Sequence, residues 1–397
     1  MKIAQINATC GVGSTGKICV SISKLLSEKK IENKVFYSSG QSDYPLGVRY
    51  MTDIEIKKGA LEARLCGNFG FNSSSATRRL VTKLKNMEPD IIHIHNIHSH
   101  NCNLDIFFRY LKEEHKKIIW TFHDCWAFTG HCTYFSFADC NHWQKECSHC
   151  PKVHEFSWIF DTTSKLFQKK KELFKGLDMI IVSPSQWLAD LVKESFLSEY
   201  PVEVINNGID LSVFRPSESF FRNKYSIAPD EKVILGVAFD WGIRKGLDVF
   251  IELSKRLDLK YRIVLVGTND KIDKKLPSRI ISIHRTNNQK ELAEIYTAAD
   301  LYINPTREDN YPTVNMEALA CGTPVITFNT GGSSECIAQK CGMIVDAEDV
   351  DSMEKAIYYL MSGQKNMKEA CLQQAVLFDQ DRCFQKYIDC YRRMFKL

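Results

Sequence analysis

Short apolar runs rich in β-branched residues alternate along this chain with stretches whose apolar positions recur at helical spacing. In the first half the runs fall at 2–7, 34–37, 90–95, 117–122, 178–183 and 203–205. Alternation of this kind predicts parallel strands joined by crossover helices. After 205 the rhythm breaks: Asn206-Asn207-Gly208 is turn chemistry, and 212–229 holds two prolines and several serines. A second series follows at 232–238, 261–266, 279–283, 300–303, 324–327 and 343–345, and three more helical patterns close the chain. The predicted fold class is therefore α/β, with two Rossmann-like domains able to face each other across a cleft. The domains are expected at 1–206 and 207–380, with a last helix at 381–397 returning to the first. No sequence period of 20–50 residues marks a repeat protein.

Length agrees with that division, since 397 residues exceed one ordinary core of about 100–200 residues. With 52 Lys+Arg against 48 Asp+Glu, the net charge of +4 is too small for a protein that wraps nucleic acid. Met1-Lys2 runs straight into a strand pattern with no apolar signal region, and no run approaches the ~18–20 apolar residues of a membrane span. A cytoplasmic chain is expected. In such a reducing compartment, the 15 cysteines are core residues, metal ligands or catalytic groups more often than disulfides.

Chemistry first becomes visible after the first strand, in Cys10-Gly11-Val12-Gly13-Ser14-Thr15-Gly16-Lys17-Ile18. Gly11, Gly13 and Gly16 fit a dinucleotide fingerprint, but the second strand ends in Phe36-Tyr37-Ser38 without the ribose-binding acid. A Walker loop fails at Ile18, where a Mg²⁺-binding hydroxyl belongs. Both failures leave two readings, a tight strand-to-helix turn or a backbone cradle for an anion at Gly13, Ser14 and Gly16.

The most informative stretch is 304–326, in which a strand ends, a polar loop carries Glu308 and Asp309, and Pro312 opens a helix bearing Glu317. Gly322 ends that helix before Pro324-Val-Ile starts another strand. Seven residues lie between Asp309 and Glu317, and Ala318-Leu-Ala-Cys-Gly-Thr-Pro-Val325 follows. This segment resembles the retaining glycosyltransferases of family 4, whose fold is called GT-B, and the likeness extends over nearly the whole chain. The family carries Glu where Asp309 stands, with Glu308 one place earlier, so either carboxylate is a candidate for the first acid.

The resemblance implies a donor site in the second domain. The first acid contacts the donor sugar and Glu317 the nucleotide ribose, each carboxylate accepting from two hydroxyls. Gly236-Val-Ala-Phe-Asp-Trp-Gly-Ile-Arg-Lys-Gly246 matches the diphosphate segment, with Arg244 and Lys245 neutralising the leaving phosphate and Phe239 where many members have a second Arg. Cations at a helix start oppose the macrodipole, which favours a functional reason for them. Arg285, Asn310, Tyr311, Gly331 and Gly332 complete the implied donor set. The donor is a UDP- or GDP-sugar, and no catalytic metal is implied.

On the first domain, Thr121-Phe-His-Asp matches a family segment whose His stands beside the donor, which implies a catalytic role for His123 alongside Lys245, Asp309 and Glu308. His95, Asn96 and His98, from His93-Ile-His-Asn-Ile-His-Ser-His100, fall on the acceptor side. A Cys-rich insert at 125–151 contains Cys132, Cys140, Cys147 and Cys150, ending in C-x-x-C. Its spacing admits a structural zinc tetrathiolate or packed and paired thiols. The same insert resembles a bacterial subgroup that includes colanic-acid fucosyltransferases, which implies capsule, O-antigen or exopolysaccharide synthesis on a polyprenyl-linked acceptor at the inner membrane face. Basic stretches at 64–85 and 165–175 are candidates for peripheral membrane contact, or for ordinary solvated helix faces. Two other classes stay open: a nucleotide-sugar epimerase and a non-catalytic member of a polysaccharide assembly complex.

Overall fold

The computed structural model describes residues 1–363 and 367–396. The chain divides into two compact units, Met1–Asn206 with Cys383–Leu397, and Asn207–Arg382. The first unit is built on a seven-stranded parallel sheet of β1 (Lys2–Asn7), β2 (Glu32–Tyr37), β3 (Gly47–Arg49), β4 (Ile91–Ile94), β5 (Lys117–Thr121), β6 (Met179–Ser183) and β7 (Val202–Val204). Their order is β3-β2-β1-β4-β5-β6-β7. The second unit holds β8 (Lys232–Val237), β9 (Tyr261–Val266), β10 (Ile280–Ile283), β11 (Leu301–Asn304), β12 (Val325–Phe328) and β13 (Gly342–Val345). Here the order is β10-β9-β8-β11-β12-β13, again with parallel pairs.

These strands form because successive residues feed two different cores. In the first unit Ala4, Ile92 and Ile118 pack on one side of the sheet, and Ile3, Ile91 and Ile119 on the other. The register sets Ile3 against Ile91 and Ile92 against Ile118, so each layer is continuous across strands. The second unit repeats this with Val233, Val264 and Tyr302 on one side and Ile234, Ile263 and Leu301 on the other. The edge strand β3 lies outside the predicted set. Three half-buried residues, Gly-Val-Arg, carry no periodicity to find.

The last helix, Gln380–Lys396, leaves the second unit and covers the sheet of the first. Its stripe Cys383, Phe384, Tyr387, Ile388, Tyr391 and Met394 recurs at three- and four-residue steps and packs with Ile3, Ile91, Ile119 and Val182. Tyr391 and Tyr387 add polar ties, reaching His93 Nδ1 at 2.5 Å and Thr121 Oγ1 at 3.1 Å.

The basic stretch at 165–175 does not present aromatics to solvent, which corrects one of the two membrane candidates. Around the helix Thr163–Leu173, Leu166, Phe167, Phe174 and even Lys170 are buried. That face belongs to the core, where the Phe174 ring lies 4.5 Å from Phe108 and 5.1 Å from Trp120. In the other stretch, Arg79 is engaged by Glu55 at 2.6 Å.

Ile388→Ala removes a fully buried side chain from the middle of the returning helix. We expect a loss of about 2–4 kcal/mol in urea unfolding of the first unit, followed by a fluorescence probe in that unit.

Candidate active site

At the carboxyl edge of the second sheet, the loops after β8 and β11 are locked together by one buried guanidinium. Arg307, whose side chain is 6% exposed, donates to the Ile243 carbonyl, to both oxygens of Asp248 at 2.8 Å, and to Glu348 at 2.6 Å. Backbone bonds add to this: Arg307 N–H reaches the Arg244 carbonyl at 2.9 Å, and the Arg244 guanidinium donates to the Glu308 carbonyl at 3.1 Å. Charge-assisted, bidentate bonds in a buried setting hold geometry well.

The lock sets Lys245 against Asp309. The ammonium donates to Oδ2 of Asp309 in an ion pair whose side chains are 18% and 19% exposed. Lys245 sits in a single turn of 3-10 helix, Ile243–Lys245, which passes through Gly246 at φ +71 into the helix Leu247–Arg256. A Cβ on Gly246 would run into the Pro305 carbonyl, so the close approach of the two loops depends on glycine there. Gly331 is constrained likewise, at φ +54 with the Asp309 carbonyl against its Cα, and Gly332 N–H donates to that carbonyl at 3.2 Å. Asp309 is thus framed by Lys245 and the Gly331-Gly332 backbone.

Glu308 is 2% exposed and turned into the protein, unlike Asp309. On the helix Thr313–Ala320, Glu317 is half-buried and accepts from the Tyr296 hydroxyl at 3.2 Å. Asn310 and Tyr311 are buried at the end of the loop. Phe239 is fully exposed in the β8 loop. Arg285 is exposed after β10, and among the described residues no hydrogen bond or ion pair joins it to Lys245, Asp309 or Glu317.

In the first unit the predicted histidines form a relay. Gln5 Nε2 donates to the Cys19 carbonyl at 3.1 Å, which leaves Gln5 Oε1 to accept from His95 Nε2 at 3.2 Å. His95 Nδ1 then accepts from His123 Nε2 at 3.1 Å, and the proton on that nitrogen leaves the His123 lone pair on Nδ1. Burial, reinforced by the charge on His98, pushes His123 down to about 3, and burial likewise holds His93 and His95 well below the ordinary imidazole range. All three are neutral near pH 7. His95, Asn96, His98, His123 and Asp124 line one small cavity at the carboxyl edge with Trp120 and Trp126, and His98 stands 3.5 Å from Asp124. His95 itself is only 1% exposed, so it bears on the cavity mainly through its bond to His123.

The glycine loop keeps its predicted place between β1 and the helix Gly13–Glu28. Gly11 N–H bonds the Gly16 carbonyl at 3.0 Å, Gly13 and Ser14 are exposed, and no side chain caps the helix start at Val12.

The description Glycosyltransferase Family 4 matches residues 16–213, and Glycosyl transferases group 1 matches residues 217–375. The chain belongs to the glycosyltransferases. Among curated relatives, a putative colanic acid biosynthesis glycosyl transferase WcaC of Escherichia coli K12 is 23% identical over 370 residues, 88% of each chain. An N,N'-diacetylbacillosaminyl-diphospho-undecaprenol alpha-1,3-N-acetylgalactosaminyltransferase of Campylobacter jejuni is 24% identical over 223 residues, 52% of this chain and 58% of that one. Among solved structures, Anabaena HepE in complex with UDP-glucose superposes with a TM-score of 0.70 at 13% identity, covering 99% of this chain and 100% of the other. At that identity the match shows the fold, two Rossmann-like parallel-sheet units of the GT-B type.

Several groups that hold this glycosyltransferase's site together escaped the sequence. Asp248 and Glu348 lie far from Arg307 along the chain, and Gln5 is an unremarkable polar position in a strand. Asn315, which accepts from Asn304 at 2.8 Å and donates to the Ser333 carbonyl at 3.0 Å, ties the acidic helix to the 330–335 loop without any motif to announce it.

The neutral histidines make stability depend on pH. In the unfolded chain imidazoles titrate near 6.5, so between about pH 6.5 and the depressed folded values unfolding takes up protons and stability falls as pH falls. We expect His123→Asn to flatten this slope by up to ~1.4 kcal/mol per pH unit in urea unfolding between about pH 7 and 5. An unchanged slope would show that the folded state already carries a protonated His123.

Proposed function

We propose that this glycosyltransferase is a retaining enzyme of bacterial polysaccharide synthesis, moving a sugar from a UDP- or GDP-sugar to a hydroxyl of a lipid-linked saccharide. The observation that carries the reading is the Lys245 ammonium held against the Asp309 carboxylate beside the Gly331-Gly332 backbone. A cation, a hydroxyl acceptor and close backbone together suit a sugar joined to a diphosphate. The HepE complex with UDP-glucose supports the donor class, and the WcaC and Campylobacter relatives support the pathway and a polyprenyl-linked acceptor.

Asp309 takes the first-acid role, because it is the carboxylate that faces Lys245 while Glu308 is turned inward. Donor diphosphate would draw Lys245 from Asp309, with Arg244 as a second cation, and free the carboxylate for sugar hydroxyls. Glu317 binds the ribose, and backbone at Gly13, Ser14 and Gly16 offers N–H groups to an anion. The acceptor oxygen attacks the anomeric carbon on the face that the phosphate leaves, and its proton passes to a phosphate oxygen. Two cations stabilise the departing diphosphate without a catalytic metal, and His123 stands beside the donor sugar and phosphate.

A thermal-shift panel of UDP-, GDP- and ADP-sugars should pick out one nucleotide class. Lys245→Ala and Glu317→Ala should each lower sugar transfer on the order of 10²–10³-fold. Intact transfer in both variants would end this reading of the site, and donor turnover without acceptor would favour an epimerase.

A lipid-linked acceptor brings the chain to a membrane face. The surface suited to it lies on the helix Asp53–Cys66, where Lys57, Lys58, Leu61, Arg64 and Leu65 are exposed. The neighbouring Trp158, Ile159 and Phe160 are 55%, 62% and 56% exposed, and Arg64 lies 5.8 Å from the Trp158 ring. Aromatics beside cations suit anionic headgroups. Among the described residues no helix is long and apolar enough to cross a membrane. Sedimentation with anionic vesicles at low salt should pellet the protein, less so after Trp158→Ser; no wild-type binding would remove membrane contact from the proposal.

A further inference from the structure

Between β5 and the helix Thr163–Leu173 the chain makes almost no regular structure. Three single turns of 3-10 helix, Trp126–Phe128, Ser136–Ala138 and His142–Gln144, and the four-residue helix Val153–Phe156 are all it contains. Such a segment has little hydrogen-bonded framework of its own, yet it carries fully shaped features, including the turn from His123 to Ala127. Trp126, Phe128, Phe135 and Trp143 anchor it in the core of the first unit, and the thiols lie beside that anchor. Cys132, Cys140, Cys147 and Cys150 line one cavity within it, together with Phe135, Trp143, Thr129 and Thr163.

Several details around these thiols suit a thiolate site. A ring nitrogen of His131 and the sulfurs of Cys132 and Cys150 lie within 4.8 Å of one another. Cys147 Sγ accepts the Gly130 backbone N–H at 3.3 Å, a bond that favours a thiolate. The Cys150 N–H donates to Asp161 at 3.0 Å, Asp161 also accepts from the Thr163 hydroxyl, and that hydroxyl stands 3.2 Å from His131 Nε2. An outer ring of polar groups thus fixes the backbone around the sulfurs, as outer-shell partners do at metal centres.

Two lysines stand beside the thiols. Lys170 is completely buried beside the cluster, its ammonium held by the Trp126 carbonyl at 2.7 Å, the Thr129 carbonyl at 3.1 Å and the Trp126 ring at 3.5 Å. Asp124 is the carboxylate whose charge reaches it, and that group also faces His98. Lys152, 16% exposed, pairs with Glu155 at 3.8 Å and lies within electrostatic reach of Cys132. A divalent ion with four thiolates carries a net charge of −2, which neighbouring lysines complement.

We propose that Cys132, Cys140, Cys147 and Cys150 hold a structural zinc ion as a tetrathiolate, with Lys170 and Lys152 as its counter-charges. Soft sulfur ligands ending in a C-x-x-C select zinc, and four protein ligands leave no open position for catalysis. Each ligand releases its thiol proton to solvent on binding, so the ion is held less firmly as pH falls. The ion staples a loop that runs directly from His123.

The test uses the full chain, expressed with zinc and purified without a metal-affinity tag. Elemental analysis should find one zinc per chain, and cobalt exchange should give the sulfur-to-cobalt charge-transfer and visible bands of a tetrahedral thiolate site. Cys147→Ser should weaken zinc retention about tenfold or more, whereas Cys66→Ser, at an exposed position outside the insert, should leave it unchanged. If Cys147→Ser does not fold, chelation of the wild-type protein should release the zinc and expose four further thiols to alkylation. Zinc-free protein in which these four thiols already alkylate, or are paired as disulfides, would overturn the proposal. Retention in Cys140→Ser with loss in His131→Asn would overturn the four-thiolate set.

Discussion

A parallel sheet points the carboxyl ends of all its strands in one direction, and the chemistry of this protein depends on that constraint. Every loop that follows a strand emerges at the same edge, however far apart the strands lie in sequence. In the second unit this brings the loops after β8, β11 and β12 together, because β8 and β11 are neighbours in the sheet and β12 is next. In the first it brings the loops after β1, β4 and β5 together, again as spatial neighbours. Burial of apolar residues on both faces keeps the strands in place, so the edge is rigid before any polar group is considered.

Polar groups then refine what the sheets supply. Arg307 is expensive to bury, and its carbonyl and carboxylate partners compensate by fixing two loops against each other. Glycines at 246 and 331 let backbone approach where a side chain would collide. In the first unit the Gln5–His95–His123 relay does similar work with neutral groups, and it also determines which His123 nitrogen carries the lone pair. Both arrangements consist of buried or part-buried, satisfied hydrogen bonds, which hold side-chain direction more strictly than apolar packing does.

Most of the fold was legible in the chain because buried parallel strands are short, apolar and rich in β-branched residues, and twelve of the thirteen strands among the described residues carry that mark. β3 does not, since its pairing with β2 supplies what three residues cannot signal. Lys245, Asp309, Glu317 and His123 were candidates through the motifs that resemble the family's, which carry residue types and spacings and not the contacts around them. The lysine-rich segment at 165–175 stayed open between two readings for a related reason: composition reports charge without reporting which face is buried, and the Lys170 stem and ammonium point into the core.

By itself the sequence determined the α/β class, the break near Asn206, the last helix as an element and the residue types at the strand ends, all of which are local or periodic properties. Only the tertiary structure decided which carboxylate faces Lys245, which nitrogen of His123 is protonated, and that Trp158 and Phe160 are exposed. Those outcomes rest on contacts between residues distant in the chain, such as Arg307 with Glu348 and His95 with Gln5. No spacing along the sequence encodes such pairs, because they exist only once the sheets have brought their loops to a common edge.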